Sequence, residues 1–239
     1  MEQLGIVFTD EEIAEVLAEQ PRLAKDDIST ISGRYHLNAI FDAELLEADF
    51  DIKIISRDAD TLPRLFETGG RTAEIVAKWD LPGPEELHQN ISDGSACVCT
   101  LPAERQFHPK GAPLKNYVDR LALPYLYGLA YADENGKWPS WGEFSHGTPG
   151  LFEFYANQQN IDIDLDALKQ VVVMMRRDSR WKEWHKQLRS PSIGRACPCG
   201  SKKPFGKCHP EAFEGVSVLE GKIREGGVNL KMLIDTAQK

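Results

Sequence analysis

All five cysteines of this chain lie in two short segments that also contain histidine. The first segment reads ELHQNISDGSACVCTLP over residues 86–102, and the second reads GRACPCGSKKPFGKCHP over residues 194–210. Thiolates and imidazoles bind soft metal ions, and a thiolate can also attack an acyl carbon. These two segments are therefore where we expect chemistry.

The second segment has the donor set of a structural zinc site. Cys197 and Cys199 are separated by one residue, and Cys208 and His209 follow after eight intervening residues. Three thiolates and one imidazole suit tetrahedral Zn²⁺, and four protein ligands leave no open position for catalysis. The spacing therefore predicts a structural zinc ion bound by these four side chains.

The cysteines of the first segment leave three interpretations open. Cys97 and Cys99 could bind a second zinc ion together with His88 and His108. They could also pack in the core, because cysteine is among the most buried residue types, and this suits Cys99 well. The third interpretation is that Cys97 is a nucleophile.

A nucleophilic Cys97 needs partial exposure, a lowered pKa and a nearby donor for the oxyanion that forms at an acyl carbon. Asn90 lies seven residues upstream, and a turn at Asp93 and Gly94 could fold its amide back beside Cys97. His146, in SHGTPG, could act as a base or could anchor its loop through hydrogen bonds, and we favour the anchor.

The elements before the first segment predict a helix followed by an antiparallel meander. Thr9 and Glu12 form a capping box ahead of apolar residues at helical spacing. Three strands are expected in ISGRYHLNAIFDA, ADFDIKIIS and LPRLFET, because apolar and polar residues alternate there. A stretch rich in Pro and Gly over residues 80–115 then contains Cys97 and Cys99, as is common for functional loops.

Two helices are expected after the loop. LKNYVDRLALPYLYGLAYA has apolar residues at the spacing of a buried stripe, and Pro124 should kink or split it. DLDALKQVVVMMRRDSRWKEWHKQL predicts a second helix, with Asp162 or Asp164 as its N-cap. Strands followed by helices indicate an α+β fold.

The charge distribution along the chain is uneven. The 239 residues carry a formal net charge of −9, which is not typical of a nucleic-acid-binding protein. Residues 176–210 nevertheless contain ten Lys or Arg against two Asp or Glu. This basic segment could contact nucleic acid weakly, but a solvated helix face is the interpretation we favour.

No targeting segment or membrane span is expected. The first residues lack a basic region followed by an apolar one, and the longest apolar runs are too short to cross a bilayer. Cysteines in tight groups indicate metal binding or catalysis rather than a disulfide framework. We therefore expect a cytoplasmic protein without membrane contacts.

The first segment resembles the active-site segment of ubiquitin-conjugating enzymes. That family has His-Pro-Asn, a short turn and then Gly-x-(Ile/Val)-Cys-Leu. Here His88, Gln89 and Asn90 precede GSACV at residues 94–98, and Gln89 stands where the family has proline. The order of elements also agrees with the family, and the resemblance covers roughly residues 8–156.

Four motifs in the same order resemble a bacterial branch of that fold more closely. They are LPRLFETGGR at 62–71, DGSAC at 93–97, PYLYG at 124–128 and SHGTPGLFEFY at 145–155. The resemblance implies that Cys97 receives a ubiquitin-like modifier from an activating enzyme as a thioester and passes it to an amine of a protein target. It also implies that Asn90 stabilises the oxyanion, that His88 shapes the loop, and that the pathway serves antiphage defence.

The second segment resembles the SEC-C motif, named for the C-terminal zinc element of the bacterial preprotein translocase motor. In that family Gly-Ser-x-Lys follows Cys-x-Cys and precedes Cys-Cys or Cys-His, and Gly200, Ser201 and Lys203 match. The resemblance implies an appendage that mediates interactions.

These resemblances imply a UBC-like antiparallel meander sheet flanked by helices at residues 1–160. A helical linker at 161–193 and a zinc-stabilised module with a tail at 194–239 would follow. Two other functions stay open: a Cys-dependent hydrolase or deconjugase, and a non-catalytic zinc-containing adaptor that binds protein or RNA.

Overall fold

The computed structural model describes residues 8–56, 62–139, 144–145, 147–156, 165–230 and 232. His146, the candidate base, and the candidate caps Asp162 and Asp164 lie outside the described residues. The chain divides into two compact units, residues 1–99 with 104–143, and residues 100–103 with 144–239.

The described residues form an α+β structure. In chain order the elements are α1 (Asp10–Glu19), β1 (Leu23–Asp27), β2 (Thr30–Phe41), β3 (Glu44–Ile55), β4 (Arg64–Glu67), α2 (Arg71–Trp79), a 3₁₀ turn (Pro84–Leu87), α3 (Leu101–Phe107), α4 (Leu114–Tyr117), a π-helical segment (Val118–Ala122), α5 (Leu123–Asn135), α6 (Thr148–Ala156), α7 (Leu165–Arg177), α8 (Trp181–Arg189), α9 (Phe205–Cys208) and α10 (Pro210–Glu225). None of the helices in the described ranges is long and apolar enough to cross a membrane.

The four strands form one antiparallel sheet in the order β1-β2-β3-β4. The three strands expected from alternating residues are confirmed, and they pair as a meander in which Tyr35 lies opposite Phe50 and Ile31 opposite Ile54. These four side chains are almost completely buried, and they form the sheet's contribution to the core of the first unit. Strand β1 was not expected, because only Leu23 of its five residues is buried and the others are polar or small.

Helix α1 begins with the predicted capping box. Glu12 N donates to Thr9 Oγ1 at 3.2 Å, and Thr9 N donates to the Glu12 carboxylate at 2.9 Å. The same carboxylate accepts a hydrogen bond from Leu114 N at 3.1 Å, at the start of α4. Glu12 therefore links the start of α1 to the start of α4. Ile13 and Val16 of α1 are buried.

The helix predicted over residues 114–132 follows one path in three parts, α4, the π-helical segment and α5, and it extends to Asn135. Leu114, Val118, Leu121 and Tyr125 are all buried, as their spacing predicted. The π-helical segment ends immediately before α5, whose second residue is Pro124. A proline cannot donate the usual helical hydrogen bond, so a local change of helix type accommodates it without a break.

In the second unit, α10 packs along α6 at very short range. Gly215 of α10 is buried, and a Cβ placed on it would stand 2.7 Å from the carbonyl carbon of Phe152 and closer still to the oxygen. Residues 144–156 therefore group with the C-terminal helices. The boundary between the two compact units falls before α6.

The helix predicted over residues 164–188 is in fact two helices, α7 and α8, separated at Asp178, Ser179 and Arg180. Asp178 explains the break. One carboxylate oxygen accepts from Arg180 N at 2.7 Å, while the other accepts from Trp184 Nε1 at 2.9 Å and Thr148 Oγ1 at 2.6 Å. An aspartate that satisfies exposed N–H groups favours the start of a new helix over the interior of an old one.

Candidate functional site

The segment around Cys97 forms a narrow antiparallel ladder. Cys97 N donates to His88 O at 2.7 Å, and Asn90 N donates to Ser95 O at 2.8 Å. The residues between these two pairs form an antiparallel bridge. Because side chains alternate along a strand, Ser95 and Cys97 project from the same face of the ladder, and Asn90, whose Nδ2 donates to Ser95 Oγ at 3.1 Å, lies on that face as well. The turn thus brings the backbone of Cys97 back beside the segment that carries Asn90.

The ladder closes through the predicted turn at Asp93 and Gly94. Gly94 has φ +75°, a conformation that favours glycine. Asp93 Oδ1 accepts from Ser95 N at 3.0 Å and from Ser95 Oγ at 2.6 Å. Gln89, which stands where the resembled family has proline, donates from Nε2 to Gly94 O at 3.1 Å and braces the turn from inside.

Strand β4 anchors this turn to the sheet. Arg64 Nη1 lies 2.8 Å from Asp93 Oδ2, and Ala96 N donates to Leu65 O at 2.8 Å. The ion pair is about one-third exposed on both sides, so its contribution to stability is modest. Its consequence is positional, because the ion pair and the backbone hydrogen bond join the turn and its second arm to β4.

The side chain of Asn90 is held within the same network. Asn90 Nδ2 donates to Ser95 Oγ at 3.1 Å, and that hydroxyl in turn donates to Asp93. An amide NH₂ group has two N–H donors, and Ser95 uses one of them. The amide is therefore oriented in advance, with a second N–H beyond the bond to Ser95. Sequence reasoning placed Asp93 in the turn but did not predict that Asp93, Ser95 and Arg64 orient Asn90.

The ring of His88 packs against an aromatic cluster. Its centroid lies 4.7 Å from that of Trp138, and Trp138 also contacts Tyr125 at 5.6 Å. His88 itself adopts φ +53°, which is uncommon for a residue with a side chain. A ring packed against tryptophan and a left-handed backbone both fit the predicted role of shaping the loop.

Cys97 is exposed, but its thiol is not activated. Its sulfur lies among protein atoms, 4.0 Å from Cys99 O, and the resulting desolvation raises the pKa of Cys97. The carboxylate of Glu104 raises that pKa further. The expected exposure is therefore present, whereas the expected lowering of the pKa is not, because the nearest charge is negative. Cys99 is half-buried against the core, and burial raises its pKa strongly.

The raised pKa predicts how Cys97 reacts with pH. Because the thiolate is the reactive form, its alkylation by iodoacetamide should increase about tenfold per pH unit up to a pH above the ordinary thiol value of about 8.5. The rate is measured by mass spectrometry of the peptide that contains Cys97. Glu104→Gln should raise the rate at pH 8 by about two- to fivefold, since it removes one opposing charge. A plateau below pH 8 would contradict this environment.

A second zinc site in the first segment is excluded by the geometry. His108 Nδ1 lies 3.1 Å from Asn116 Oδ1, and its ring meets Tyr117 edge-on. Within the described ranges, only one group of three or more His, Cys, Asp or Glu side chains converges closely enough to hold a metal, and it lies in the second segment. Cys97, Cys99 and the two histidines therefore do not form a metal site.

That single group is Cys197, Cys199, Cys208 and His209, whose donor atoms all lie within 4.8 Å of one another. Cys197 Sγ is 3.3 Å from His209 Nδ1, and Cys199 Sγ is 3.6 Å from Cys208 Sγ. A tetrahedral zinc ion with ordinary bond lengths requires about 3.6 Å between sulfur and nitrogen and about 3.8 Å between sulfurs. The donor set and its spacing thus fit Zn²⁺, with Nδ1 as the histidine donor.

A short backbone knuckle presents the first two thiols. Cys197 N donates to Lys203 O at 2.8 Å, and Gly200 N donates to Cys197 O at 3.1 Å. Gly200 has φ +92°, and a Cβ there would collide with the guanidinium of Arg180. The backbone conformation therefore favours glycine at this position of the Gly-Ser-x-Lys sequence, whereas the Arg180 side chain is flexible and could move aside.

Ser201 supports the site from outside the donor set. Its Oγ lies 3.0 Å from Cys208 Sγ and accepts a hydrogen bond from Lys203 N at 3.3 Å. Desolvation opposes ionisation of Cys199, but hydrogen bonds from Ser201 and the neighbouring thiols outweigh it and lower the pKa of Cys199 to about 7. Such outer contacts orient metal ligands and tune their basicity.

The metal centre rests on an aromatic seat. Phe205, the first residue of α9, is fully buried and lies edge-on to Trp184 and Phe213, with centroids 5.6 Å apart in both pairs. His209 ends α9 and precedes α10 directly. The segment is therefore continuous with the core of the second unit, and it has more apolar support than its short sequence suggested.

Comparison of this chain with protein-family models, with curated proteins and with solved structures finds no match.

Proposed function

We propose that the first unit transfers acyl groups by the chemistry of a ubiquitin-conjugating enzyme. Cys97 would hold the C-terminal carbonyl of a ubiquitin-like modifier as a thioester and pass it to an amine of a protein target. The observation that carries the proposal is the exposed Cys97 thiol on the same ladder face as the pre-oriented amide of Asn90. The helix and antiparallel meander ahead of the loop agree with the resembled family's element order.

In the first step, Cys97 accepts the modifier from a thioester on an activating enzyme. Cys97 loses its proton to solvent, its sulfur forms a bond to the acyl carbon, and the donor sulfur leaves and is reprotonated. A raised pKa favours this direction, because a thiol of lower pKa is the better leaving group. The raised pKa also makes Cys97 a stable carrier of the thioester rather than a hydrolytic nucleophile.

In the second step, a neutral amine attacks the thioester. The nitrogen bonds to the acyl carbon, and negative charge develops on its oxygen. The second N–H of Asn90 would donate to that oxygen. The carbon–sulfur bond then breaks, the nitrogen loses a proton, and Cys97 takes one up. The products are an amide and the free thiol.

The test of the proposal is a charging assay with the modifier and activating enzyme encoded in the same genome. We expect an adduct of one modifier per chain that disappears with dithiothreitol. Cys97→Ala should reduce it at least about 10³-fold, because the acyl acceptor is absent. Cys97→Lys should give an adduct that survives the reductant, because an amide replaces the thioester.

Cys99→Ala is the matched control, since Cys99 lies two residues away and packs against the core. It should charge normally. Equal charging of Cys97→Ala would contradict the proposal. Cleavage of a modifier fusion without any adduct would point instead to the Cys-dependent hydrolase.

Asn90 gives a second prediction, which separates the two steps. Asn90→Ala should leave charging of Cys97 within about twofold and slow discharge to free lysine about 10²-fold or more, because one oxyanion donor is removed. The measurement is a single-turnover discharge of purified thioester. Gln89→Ala changes the neighbouring residue, which braces the turn but is not proposed to touch the oxyanion, and it should slow discharge much less. Equal effects of the two variants would assign Asn90 to loop structure alone.

A second candidate function is an adaptor that binds polyanions through the second unit. Nine of the ten basic residues in the segment 176–207 are exposed, and Asp178, one of the two acidic residues there, is half-buried with its carboxylate bound to Arg180 N and Trp184 Nε1. Such a surface would bind RNA with a strong dependence on salt. This function would appear as RNA binding that Cys97→Ala leaves unchanged.

The setting of the proposed reaction is a reducing cytoplasm, with antiphage defence as the pathway that the resemblance implies. All five cysteines are free thiols, as both the transfer chemistry and the zinc site require. The zinc centre would be structural, and its four protein donors leave no position for a substrate.

A further inference from the structure

Several basic side chains of the first unit are paired with carboxylates, whereas those around α8 in the second unit are not. Arg34, Arg64, Arg71 and Lys115 each lie within 3.2 Å of a carboxylate oxygen. In the segment 176–207, none of the nine exposed Lys and Arg side chains forms an ion pair with a carboxylate of the described residues. The chain has a net charge of −9, so carboxylates are plentiful, yet no described one neutralises this segment.

Helix α8 carries three of these cations on one outward face. Lys182, Lys186 and Arg189 recur at spacings of four and three residues, so they share a face of the helix. Trp184 and Leu188 lie on the other side of the helix and are buried. Like charges at these spacings destabilise a helix. A face that opposes folding and has no ion-pair partner among the described residues indicates that an anion binds there.

Two arginines extend this face beyond both ends of α8. The guanidinium of Arg180, the residue before α8, packs against Gly200 in the backbone knuckle of the metal centre. At the other end, Arg195 Nη1 donates to Lys186 O at 3.3 Å and to Ser190 O at 3.0 Å. The positive surface therefore runs from the metal centre along α8, and these contacts hold its two ends in place.

An aromatic pair lies beside these cations. Trp181 and His185 are four residues apart on α8, with ring centroids 6.3 Å apart and ring planes inclined by 36°. Both side chains are half-buried, so each keeps some exposed surface. Arg176 and Lys182 lie over the Trp181 ring, at 5.2 Å and 6.0 Å from its centroid. Proteins that bind single strands combine such features, because bases stack on aromatic rings while cations bind the phosphates.

We propose that the basic face of α8, together with the aromatic pair, binds a single-stranded polynucleotide. Phosphates contact Lys182, Lys186 and Arg189, and a base stacks on Trp181. A duplex keeps its bases paired and a polyglutamate stretch has no ring, so each could use only the charges. The proposal rests on the polyanion-binding function given above as the second candidate, and it is independent of acyl transfer at Cys97.

The probe is a fluorescent oligouridylate of about 12 nucleotides, within the range of single-strand site sizes. Its binding to the full chain, purified with zinc, is followed by fluorescence anisotropy at several salt concentrations. We expect the logarithm of the affinity to fall with the logarithm of salt at a slope of roughly −3, as for about four phosphate contacts. A duplex and a polyglutamate of the same total charge should bind at least about fivefold more weakly, because neither offers a base to Trp181. Tighter binding of either would overturn the proposal.

The contribution of charge is tested by Lys182→Gln combined with Lys186→Gln. This variant should bind the oligouridylate about tenfold more weakly, with a salt slope shallower by roughly 1.4, since two phosphate contacts are lost. Lys222→Gln combined with Arg224→Gln is the matched control. It removes two cations from α10, which meets the buried side of α8 through Phe205. Equal losses in the two variants would show that only the net charge of the unit matters and would overturn the proposal.

Trp181→Leu tests the stacking, and inorganic polyphosphate, which has charge but no bases, separates stacking from charge. The variant should bind the oligouridylate about tenfold more weakly but bind polyphosphate within about twofold of the unchanged chain. Trp181→Phe keeps an aromatic face and should retain most of the affinity for the oligouridylate. Equal loss of both ligands in Trp181→Leu would assign Trp181 to structure alone, which overturns the proposal but not the second candidate function. Failure of the unchanged chain to bind either ligand would overturn both.

The single strand could be RNA or DNA, since both offer phosphates and unpaired bases. An oligodeoxyuridylate of the same length differs from the probe only in lacking the 2′-hydroxyl groups, which a protein can use to distinguish RNA from DNA. Tighter binding of the oligouridylate assigns the surface to RNA, and tighter binding of the oligodeoxyuridylate assigns it to DNA.

Discussion

The purified chain is expected to contain one zinc ion, and removal of that ion should lower the free energy of unfolding of the second unit by more than about 4 kcal/mol. The donor atoms are already spaced for a tetrahedral ion, so metal binding stabilises this conformation and not the unfolded chain. Without the metal, no ion holds Cys199 Sγ and Cys208 Sγ at their separation of 3.6 Å.

The measurement combines metal analysis with urea unfolding, followed by the fluorescence of Trp184. This indole touches Phe205 at the base of the site and therefore reports the second unit. Cys208→Ser should lose the zinc and unfold at a lower urea concentration, and a chelator should have the same effect on the unchanged chain. Ser201→Ala, which removes only the outer contact to Cys208, should weaken zinc about 10-fold or more but still allow binding.

Cys99→Ala serves as the control for thiol loss, and it should keep one zinc per chain. Two zinc ions per chain, with one lost in Cys99→Ala, would show that a second zinc site exists in the first segment and would contradict its exclusion on geometric grounds. A chain that binds no zinc and unfolds identically with and without chelator would show that the aromatic seat alone holds the segment.

The sheet could be predicted because its information is local. In β2 and β3, Tyr35, Leu37, Phe50, Ile52 and Ile54 recur at alternate positions, and each turns to the buried face. The capping box at Thr9 is local as well, since its two hydrogen bonds join residues three apart. The zinc donors were predictable for the same reason, because four ligands within thirteen residues need no distant partner.

Features that depend on distant partners were missed. The break between α7 and α8 depends on Asp178 and on Thr148, thirty residues earlier. The orientation of Asn90 depends on Asp93, which Arg64 of β4 holds. The raised pKa of Cys97 depends first on desolvation by the surrounding protein and then on Glu104, a residue that was not connected with Cys97 from the sequence. None of these residues has an unusual pattern around it, so only the tertiary structure reveals its role.

The packing of α6 against the C-terminal helices also depends on residues that are distant in the sequence. It leads to a test that compares two glycines of one helix. Helix α10 contains Gly215 and Gly221. A Cβ on Gly221 meets no atom within 4 Å, whereas a Cβ on Gly215 overlaps the backbone of Phe152 and lies 3.2 Å from Ala156 N. The two glycines therefore have the same helical context and opposite packing requirements.

Gly221→Ala should stabilise the second unit by about 0.5–1 kcal/mol, because alanine is the better helix former and restricts the unfolded chain. Gly215→Ala gains the same helical preference but must push α6 and α10 apart. Since the obstructing atoms are backbone and cannot rotate away, we expect a net loss of about 3 kcal/mol. For a chain of this size that is a fall of roughly 6–12 °C in the thermal midpoint. Both variants are followed by circular dichroism with zinc bound, so that metal loss does not contribute. If both substitutions raised the midpoint alike, α6 and α10 would not meet at Gly215, and the grouping of α6 with the zinc-bearing unit would be wrong.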